Sequence, residues 1–181
     1  MLDVRTIKRD LRCNVRNLKK KYSYEQLKEM SETLWPKLEN DPLFKNARTV
    51  MLYWSLSDEL HTHEFIQKWA GPKKIILPSI DGDNLLLKQF VGIDNLVKGE
   101  GMGIPEPSGP IFEAIDSIDL VIVPGVAFDR SKNRLGRGKG YYDRLLRSLT
   151  CKKAGVCFKF QLFDSIPVEI HDFKMDYIFY T

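Results

Sequence analysis

Between Asn133 and Arg144 the chain reads Asn-Arg-Leu-Gly-Arg-Gly-Lys-Gly-Tyr-Tyr-Asp-Arg, residue types suited to handling a phosphate chain. Gly136, Gly138 and Gly140 carry no side-chain wall, so backbone N–H groups there can approach a bound anion closely. Arg137 and Lys139 add positive charge, and Asp143 offers a carboxylate for a divalent metal held against phosphate oxygens. The pattern is not one of the commoner phosphate loops. A Walker A loop ending in Gly138-Lys139 requires Gly at 133 and Ser or Thr at 140, where the chain has Asn133 and Gly140. A dinucleotide fingerprint starting at Gly136 requires Gly or Ala at 141, the position of Tyr141. The rival reading is a flexible basic surface loop, but two adjacent aromatics, Tyr141 and Tyr142, are unusual in a linker.

Other clusters are weaker singly. From Arg5 to Lys21 there are eight cations and one acid, Asp10. Arg5, Lys8, Arg12, Arg16 and Lys19 each follow an apolar position by one residue, so they share a helix face beside the apolar one. That face is either simply solvated or places Lys8 and Arg12, one helical turn apart, across a cleft from a polyphosphate. Basic helices also bind nucleic acid, yet no RNA-binding aromatic motif, helix-turn-helix or zinc-finger spacing accompanies this one. Asp58-Glu59 follows an apolar run and suits either plain solvation or recognition of ring N–H donors. His61 and His63 lack a third ligand at zinc spacing. Asp172 or Asp176 could share a metal with Asp143, although acids before a strand are usually loop solvation.

These residues need a frame. Val4, Ile7, Leu11, Val15 and Leu18 recur at helical steps and predict an amphipathic helix over 3–20. Ser23 and Gln26 form a capping-box pattern for a second helix running to about Leu34, before Pro36. Thr49 to Trp54 reads as a buried strand, and Thr62 as the cap of a helix through Ala70. Lys74 to Leu77 predicts a strand ending at Pro78, and Asp81-Gly82-Asp83-Asn84 a turn into a strand from Leu85 to Phe90. Ile118 to Val123 is the central strand, closed by Pro124-Gly125, which puts the glycine loop beyond its carboxyl end, where open α/β sheets bind ligands. A helix over Tyr141 to Leu149 and strands over Ala154 to Phe158 and Tyr177 to Tyr180 complete the pattern. The stretch 91–116, with Gly99, Gly101, Gly103, Pro105, Pro107, Gly109 and Pro110, reads as an irregular binding loop. The alternation implies an α/β fold: a three-layer α/β/α sandwich around a mostly parallel, Rossmann-like sheet.

Composition sets outer bounds. The 181 residues suit one domain, and 43% hydrophobic with 29% charged residues is ordinary for a globular protein. No apolar run nears the roughly 20 residues that span a bilayer, and the basic N-terminus lacks a secretory core. Cys13, Cys151 and Cys157 form no disulfide or zinc framework. A cytoplasmic monomer with no membrane or nucleic-acid partner is the expectation, and a net charge of +4 suits an anionic ligand.

The run Val123-Pro124-Gly125-Val126-Ala127-Phe128-Asp129, followed by Asn133 to Asp143, closely resembles the signature of the 5-formyltetrahydrofolate cyclo-ligase family, also called methenyltetrahydrofolate synthetases. Lys8-Arg9-x-Leu11-Arg12 is similar to the family's basic motif, Asp58-Glu59 to its acidic pair, Gly103-Ile104-Pro105-Glu106-Pro107 to its mid-chain loop, and Asp172-x-Lys174-x-Asp176 to its C-terminal motif. Trp54 stands where the family often has a smaller aliphatic residue. The resemblance implies one catalytic domain over 1–181 that closes 5-formyltetrahydrofolate to 5,10-methenyltetrahydrofolate, consuming ATP with Mg2+ and passing through a phosphorylated formyl group. It implies ATP contacts from Lys8, Arg9, Arg12, Arg134, Leu135, Gly136, Arg137, Gly138, Lys139, Gly140, Tyr141 and Tyr142, with Arg137 and Lys139 catalytic. The folate would meet Trp54, Glu59 (through pterin N–H groups), Arg137, Gly138, Lys139, Gly140 and Tyr141, and magnesium would meet Asp143 and Asp172. The alternatives are another ATP-dependent ligase or kinase for a small anion, and a non-catalytic polyanion-binding module.

Overall fold

The structure, a computed structural model, describes residues 3–99 and 103–181. Its frame is a six-stranded sheet in the order β11-β9-β6-β1-β2-β3. The strands are β1 (Thr49–Met51), β2 (Lys74–Asp81), β3 (Asn84–Gln89), β6 (Leu120–Pro124), β9 (Lys152–Cys157) and β11 (Tyr177–Tyr180). All neighbours run parallel except β3, which returns antiparallel on β2 through a hairpin pairing Asp81 with Asn84. Side chains of a strand alternate between faces, and the core divides accordingly. Val50, Leu52, Ile75, Leu77, Leu120 and Ile122 meet Leu27, Leu34, Leu38, Phe44 and Phe65 on one face. Those partners come from or flank α2 (Tyr24–Glu32), α3 (Trp35–Asn40), α4 (Pro42–Asn46) and α5 (His63–Trp69). Met51, Ile76, Val121 and Val123 meet Leu146 of α6 (Tyr141–Ser148) on the other. The result is three layers, as the alternation predicts.

The local signals hold where they are strong. Ser23 and Gln26 form the full capping box of α2, and the helix from Tyr141 and the strand from Tyr177 lie where expected. Pro36 does not halt helical structure but sits in the first turn of α3, where its missing N–H costs nothing. Nor does Pro78 end β2, which continues to Asp81 beside the antiparallel β3. Thr62 stands at the start of α5 without a side-chain cap bond; its hydroxyl instead donates to the Tyr53 carbonyl at 2.7 Å.

Two corrections concern short elements. The stretch 91–116 is not wholly irregular: β4 (Leu96–Lys98) pairs antiparallel with β5 (Pro105–Pro107), and Val97 stands opposite Glu106. Proline is tolerated in such a two-stranded edge because the outward N–H needs no ladder partner. Gly101 lies outside the described residues. Beyond β6 the chain builds a second sheet, β10-β7-β8, from β7 (Ala127–Asp129), β8 (Arg134–Leu135) and β10 (Leu162–Phe163). Phe128, fully buried, wedges this sheet against the main one; a Cβ on Gly125 would fall 2.6 Å from its ring, and one on Gly155 2.5 Å. No helix among the described residues is long and apolar enough to cross a membrane.

Candidate active site

The helix α1 (Val4–Lys19) lies on the small sheet with an orientation that its apolar stripe does not foretell. Its buried residues are Lys8, Val15 and Lys19, while Ile7 is exposed. Lys8, Arg12 and Lys19 of the cationic face therefore turn inward, while Arg5 and Arg16 stay exposed. Lys8, only 4% exposed, donates from Nζ to Glu169 Oε2 at 2.7 Å and Asp172 Oδ2 at 2.6 Å. Arg12 Nε donates to the Gly136 carbonyl at 2.8 Å, tying the helix to the glycine loop. Lys19 Nζ donates to Asp58 Oδ2 at 3.1 Å. Arg9 points away, exposed and 3.5 Å from Asp10.

A cavity of about 380 Å³ opens between these elements. In the sheet, β1 has β2 on one side and β6 on the other, so the chain changes direction between β1 and β6, and open α/β sheets bind ligands at such a switch point. The segments leaving the carboxyl ends of both strands line the cavity: Tyr53, Trp54, Asp58 and Glu59 after β1, Pro124, Gly125 and Val126 at the end of β6. The post-β1 segment is stitched into shape by Ser55 and Thr62, each of whose backbone N–H groups donates to the other's hydroxyl at 3.1 Å.

The glycine motif supplies the next wall. Gly138 (φ 107°) and Gly140 (φ 72°) adopt left-handed backbone that other residues enter only at a cost, and Gly140 then starts α6. Arg137 reaches back to the acidic pair: Nη2 donates to Asp58 Oδ1 at 2.8 Å and to Glu59 Oε1 at 2.9 Å, with Nε 3.1 Å from the same Glu59 oxygen. Burial works to raise the Asp58 carboxyl, but Lys19 and Arg137 outweigh it and hold the group below its usual range. Burial likewise draws Lys19 down, only partly offset by Asp58. Lys139 makes no ion pair among the described residues; its Nζ lies 5.8 Å from the Tyr141 ring centre at the cavity wall.

Arg134, 4% exposed, donates from Nη2 to Asp143 Oδ1 at 3.3 Å and lies over the Tyr142 ring. Burial pulls its guanidinium down from the ordinary arginine value, with Asp143 partly offsetting, and pushes the Tyr142 hydroxyl upward. Arg134 Nε and Tyr142 Oη are the two buried side-chain polar atoms without a hydrogen-bond partner among the described residues. Both residues line the cavity. An unmet buried donor costs about 1–3 kcal/mol, which an acceptor admitted by a small shift of this wall would offset.

Of the residues singled out in sequence, Arg12, Trp54, Glu59, Arg134, Gly136, Arg137, Lys139, Gly140, Tyr141, Tyr142 and Asp143 share this cavity. Gly138 abuts the Arg12 guanidinium, and Leu135 is buried in the small sheet. Lys8, Arg9 and Asp172 are not among the lining residues; Lys8 and Asp172 are paired with each other. Asp172 also clusters with Glu169 and His171, all three offering ligand atoms within 4.8 Å of one another. His61 and His63 do come together, ring centres 4.4 Å apart, but for other work. His61 pairs with Glu64 at 2.6 Å, and His63 stacks on Trp54 at 4.0 Å, fixing the indole at the cavity edge. Burial and the neighbouring His61 keep His63 below the usual histidine value. Tyr53, Pro78, Ile80, Leu85 and Glu106 also line the cavity; in the sequence Glu106 figures only as part of the loop 103–107, with no role of its own, and its position between two prolines hid the strand that carries it.

Comparison with known proteins gives the same frame. The chain is 33% identical to the 5,10-methenyltetrahydrofolate synthetase of Aquifex aeolicus, whose solution structure superposes with a TM-score of 0.86, covering 96% of this chain and 89% of that one. The corresponding Mycoplasma pneumoniae synthetase, 22% identical with a TM-score of 0.74 over 94% of this chain and 96% of that one, shares the fold. Among sequences, the mouse 5-formyltetrahydrofolate cyclo-ligase is 28% identical over 98% of this chain and 95% of its own length. The cyclo-ligase of Escherichia coli strain K12 is 29% identical over 89% and 93%. The model of the 5-formyltetrahydrofolate cyclo-ligase family matches residues 4–181, and with it the glycine loop, the acidic pair and the cationic helix find a common setting: the chain belongs to that family.

Proposed function

We propose that residues 1–181 act as one catalytic unit that closes 5-formyltetrahydrofolate to 5,10-methenyltetrahydrofolate at the expense of ATP. The observation that carries the phosphate half is the pair of unmet donors, Arg134 Nε and Tyr142 Oη, in a wall that also holds Lys139 without a counter-ion. A polyphosphate supplies acceptors to all three. Family membership and the relatives' names support the folate half.

A formyl amide is a poor electrophile and its oxygen a poor leaving group. Transfer of the γ-phosphoryl group to that oxygen releases ADP and leaves an iminium-like carbon bearing a phosphate. The neighbouring folate nitrogen attacks this carbon and gives up its proton to water or the departing phosphate, the carbon–oxygen bond breaks, and phosphate leaves with the former formyl oxygen. Such chemistry asks the protein for alignment and charge neutralisation more than for a nucleophile. Arg12 and the loop Arg134 to Tyr142 hold the phosphates, and Arg137 and Lys139 face the group in transfer; Lys8 would join only by releasing Glu169 and Asp172, and Arg9 only by turning in from solvent. Trp54 and Glu59 contact the folate. Arg137, now held by Asp58 and Glu59, is placed to exchange those partners for phosphoryl oxygens.

Asp143 suits magnesium: it lines the cavity, and Arg134 engages only Oδ1. A single carboxylate completed by phosphate oxygens and water is a usual magnesium set. Asp172 would join only by releasing Lys8. When bound, magnesium would neutralise charge on the transferring phosphates.

The test is an absorbance time course with 5-formyltetrahydrofolate, magnesium and ATP, following the near-ultraviolet band of the methenyl product. Growth only in the complete mixture is expected; a flat trace from folded protein would sink the reading. The polyanion-binding alternative gains little from this helix, because Lys8 and Lys19 are buried in internal ion pairs rather than displayed.

A further inference from the structure

Part of the cavity is walled by two hairpins rather than by the glycine loop. Pro78, Ile80 and Leu85 come from β2 and β3, Ile104 and Pro105 from the turn and start of β5, and among them stands the Glu106 carboxylate. Glu106 is 8% exposed. Its Oε2 accepts the Ser79 hydroxyl and its Oε1 the Ile80 N–H at 3.3 Å. It makes no ion pair among the described residues, in contrast to Glu59, which Arg137 neutralises. The fold makes room for it: a Cβ on Gly99 would fall 2.6 Å from the Glu106 side chain.

A buried carboxylate without a cation is costly unless hydrogen bonds answer it. Each carboxylate oxygen accepts about two such bonds, so with one neutral donor apiece both Glu106 oxygens keep a free acceptor position. The ligand that fits carries two adjacent N–H donors on the edge of a flat ring, with an apolar face for the prolines, Ile80 and Leu85. A pterin presents that edge in its 2-amino group and neighbouring ring N–H. Adenine does not, because its amino group is flanked by acceptors. Merely stitching β5 to β2 would require an acceptor there but no charge.

We propose that Glu106 is a specificity-determining residue that accepts the paired N–H donors of the pterin edge; this rests on the folate reading of the same cavity. Glu59 then meets the folate nearer the acid–arginine network, and Glu106 tells the ring from its analogues.

The experiment compares binding of 5-formyltetrahydrofolate and its 2-desamino analogue to wild-type protein and to Glu106→Gln, Glu106→Ala and Ser79→Ala, alongside KM for ATP. The wild type should prefer the 2-amino compound by about 100-fold or more, since a site built around a donor rejects the analogue lacking it. Glu106→Ala should raise the folate KM by roughly 10–100-fold and abolish the preference, with the ATP KM within about twofold. Glu106→Gln, which restores an acceptor but not two, should bind the folate weakly and discriminate poorly. Ser79→Ala removes only an orienting donor and should weaken the preference about threefold to tenfold. It carries the test if the Glu106 variants do not fold. Undiminished preference in Glu106→Ala, or in Ser79→Ala should the former not fold, would overturn the assignment, as would a parallel rise of the ATP and folate KM values. Wild-type protein that binds neither folate would overturn the folate reading itself, and with it this one.

Discussion

Where α1 and the glycine loop wall the cavity, most charges already have a protein partner: Arg137 has Asp58 and Glu59, Arg134 has Asp143, and Lys19 has Asp58. Where the two hairpins wall it, Glu106 has only a hydroxyl and a backbone N–H. Charges paired in this way can exchange partners when an anion arrives, because the attraction lost to one carboxylate is regained from a phosphate. A lone carboxylate amid apolar side chains has no such exchange to make and instead selects a ligand by its donors. The first wall is therefore suited to a transient build-up of charge, the second to recognition of a ring. Arg12, Arg16 and Lys139, cationic and without a counter-ion among the described residues, are the exceptions within the first wall.

That contrast can be broken most directly at Lys139. Lys139→Ala should lower turnover by about 10²–10³-fold, the scale for losing one donor to a developing negative charge, with substrate affinities changed far less. Wild-type turnover in this variant would remove Lys139 from the chemistry. Next, Asp143→Asn should shift the magnesium titration of activity to roughly tenfold higher concentration, about 1.4 kcal/mol of lost charge interaction. An unchanged titration curve would place the metal elsewhere. Glu59→Gln should raise the folate KM by about tenfold and more than the ATP KM; the reverse order would assign Glu59 wholly to the phosphate wall. The smallest effect belongs to Asp58. A carboxyl held below its unfolded value, near 3.9, adds stability above that value and loses it as pH falls through its folded value. Asp58→Asn should accordingly flatten the decline in melting temperature on the acid side of about pH 4, modestly because the pair is part exposed to solvent. An unaltered acid limb would show that Lys19 and Arg137 gain nothing from it.

The site was legible in sequence to the extent that its residues are neighbours in the chain. The loop from Arg134 to Asp143 declares itself through glycine, charge and aromatic spacing, and the hairpin at Asp81-Gly82-Asp83-Asn84 through its turn residues. What long-range pairing decides was hidden. The two- and three-residue strands β7, β8 and β10 carry no period that a sequence can show, since two residues cannot alternate. In α1 the apolar stripe is real, but side chains 161 and 164 residues away, Glu169 and Asp172, turn the helix so that Lys8 is buried and Ile7 exposed. The place of the Glu106 carboxylate emerges only once Ser79 and Ile80, 27 and 26 residues away, are known to hold it.

The pairing of Lys8 with Glu169 and Asp172 also bears on the order in which the molecule is made. A helix emerging from the ribosome must wait for a further 161 and 164 residues before its lysine meets those acids. Chains stalled on the ribosome with a C-terminal extension long enough to carry residue 172 out of the exit tunnel should protect α1 from a protease pulse, and chains stalled before residue 169 should leave it open. The cavity wall that this helix completes is thus finished late, so a partly synthesised chain can pair β1, β2, β3, β6 and β9 without yet capturing, or being held by, a phosphate ligand.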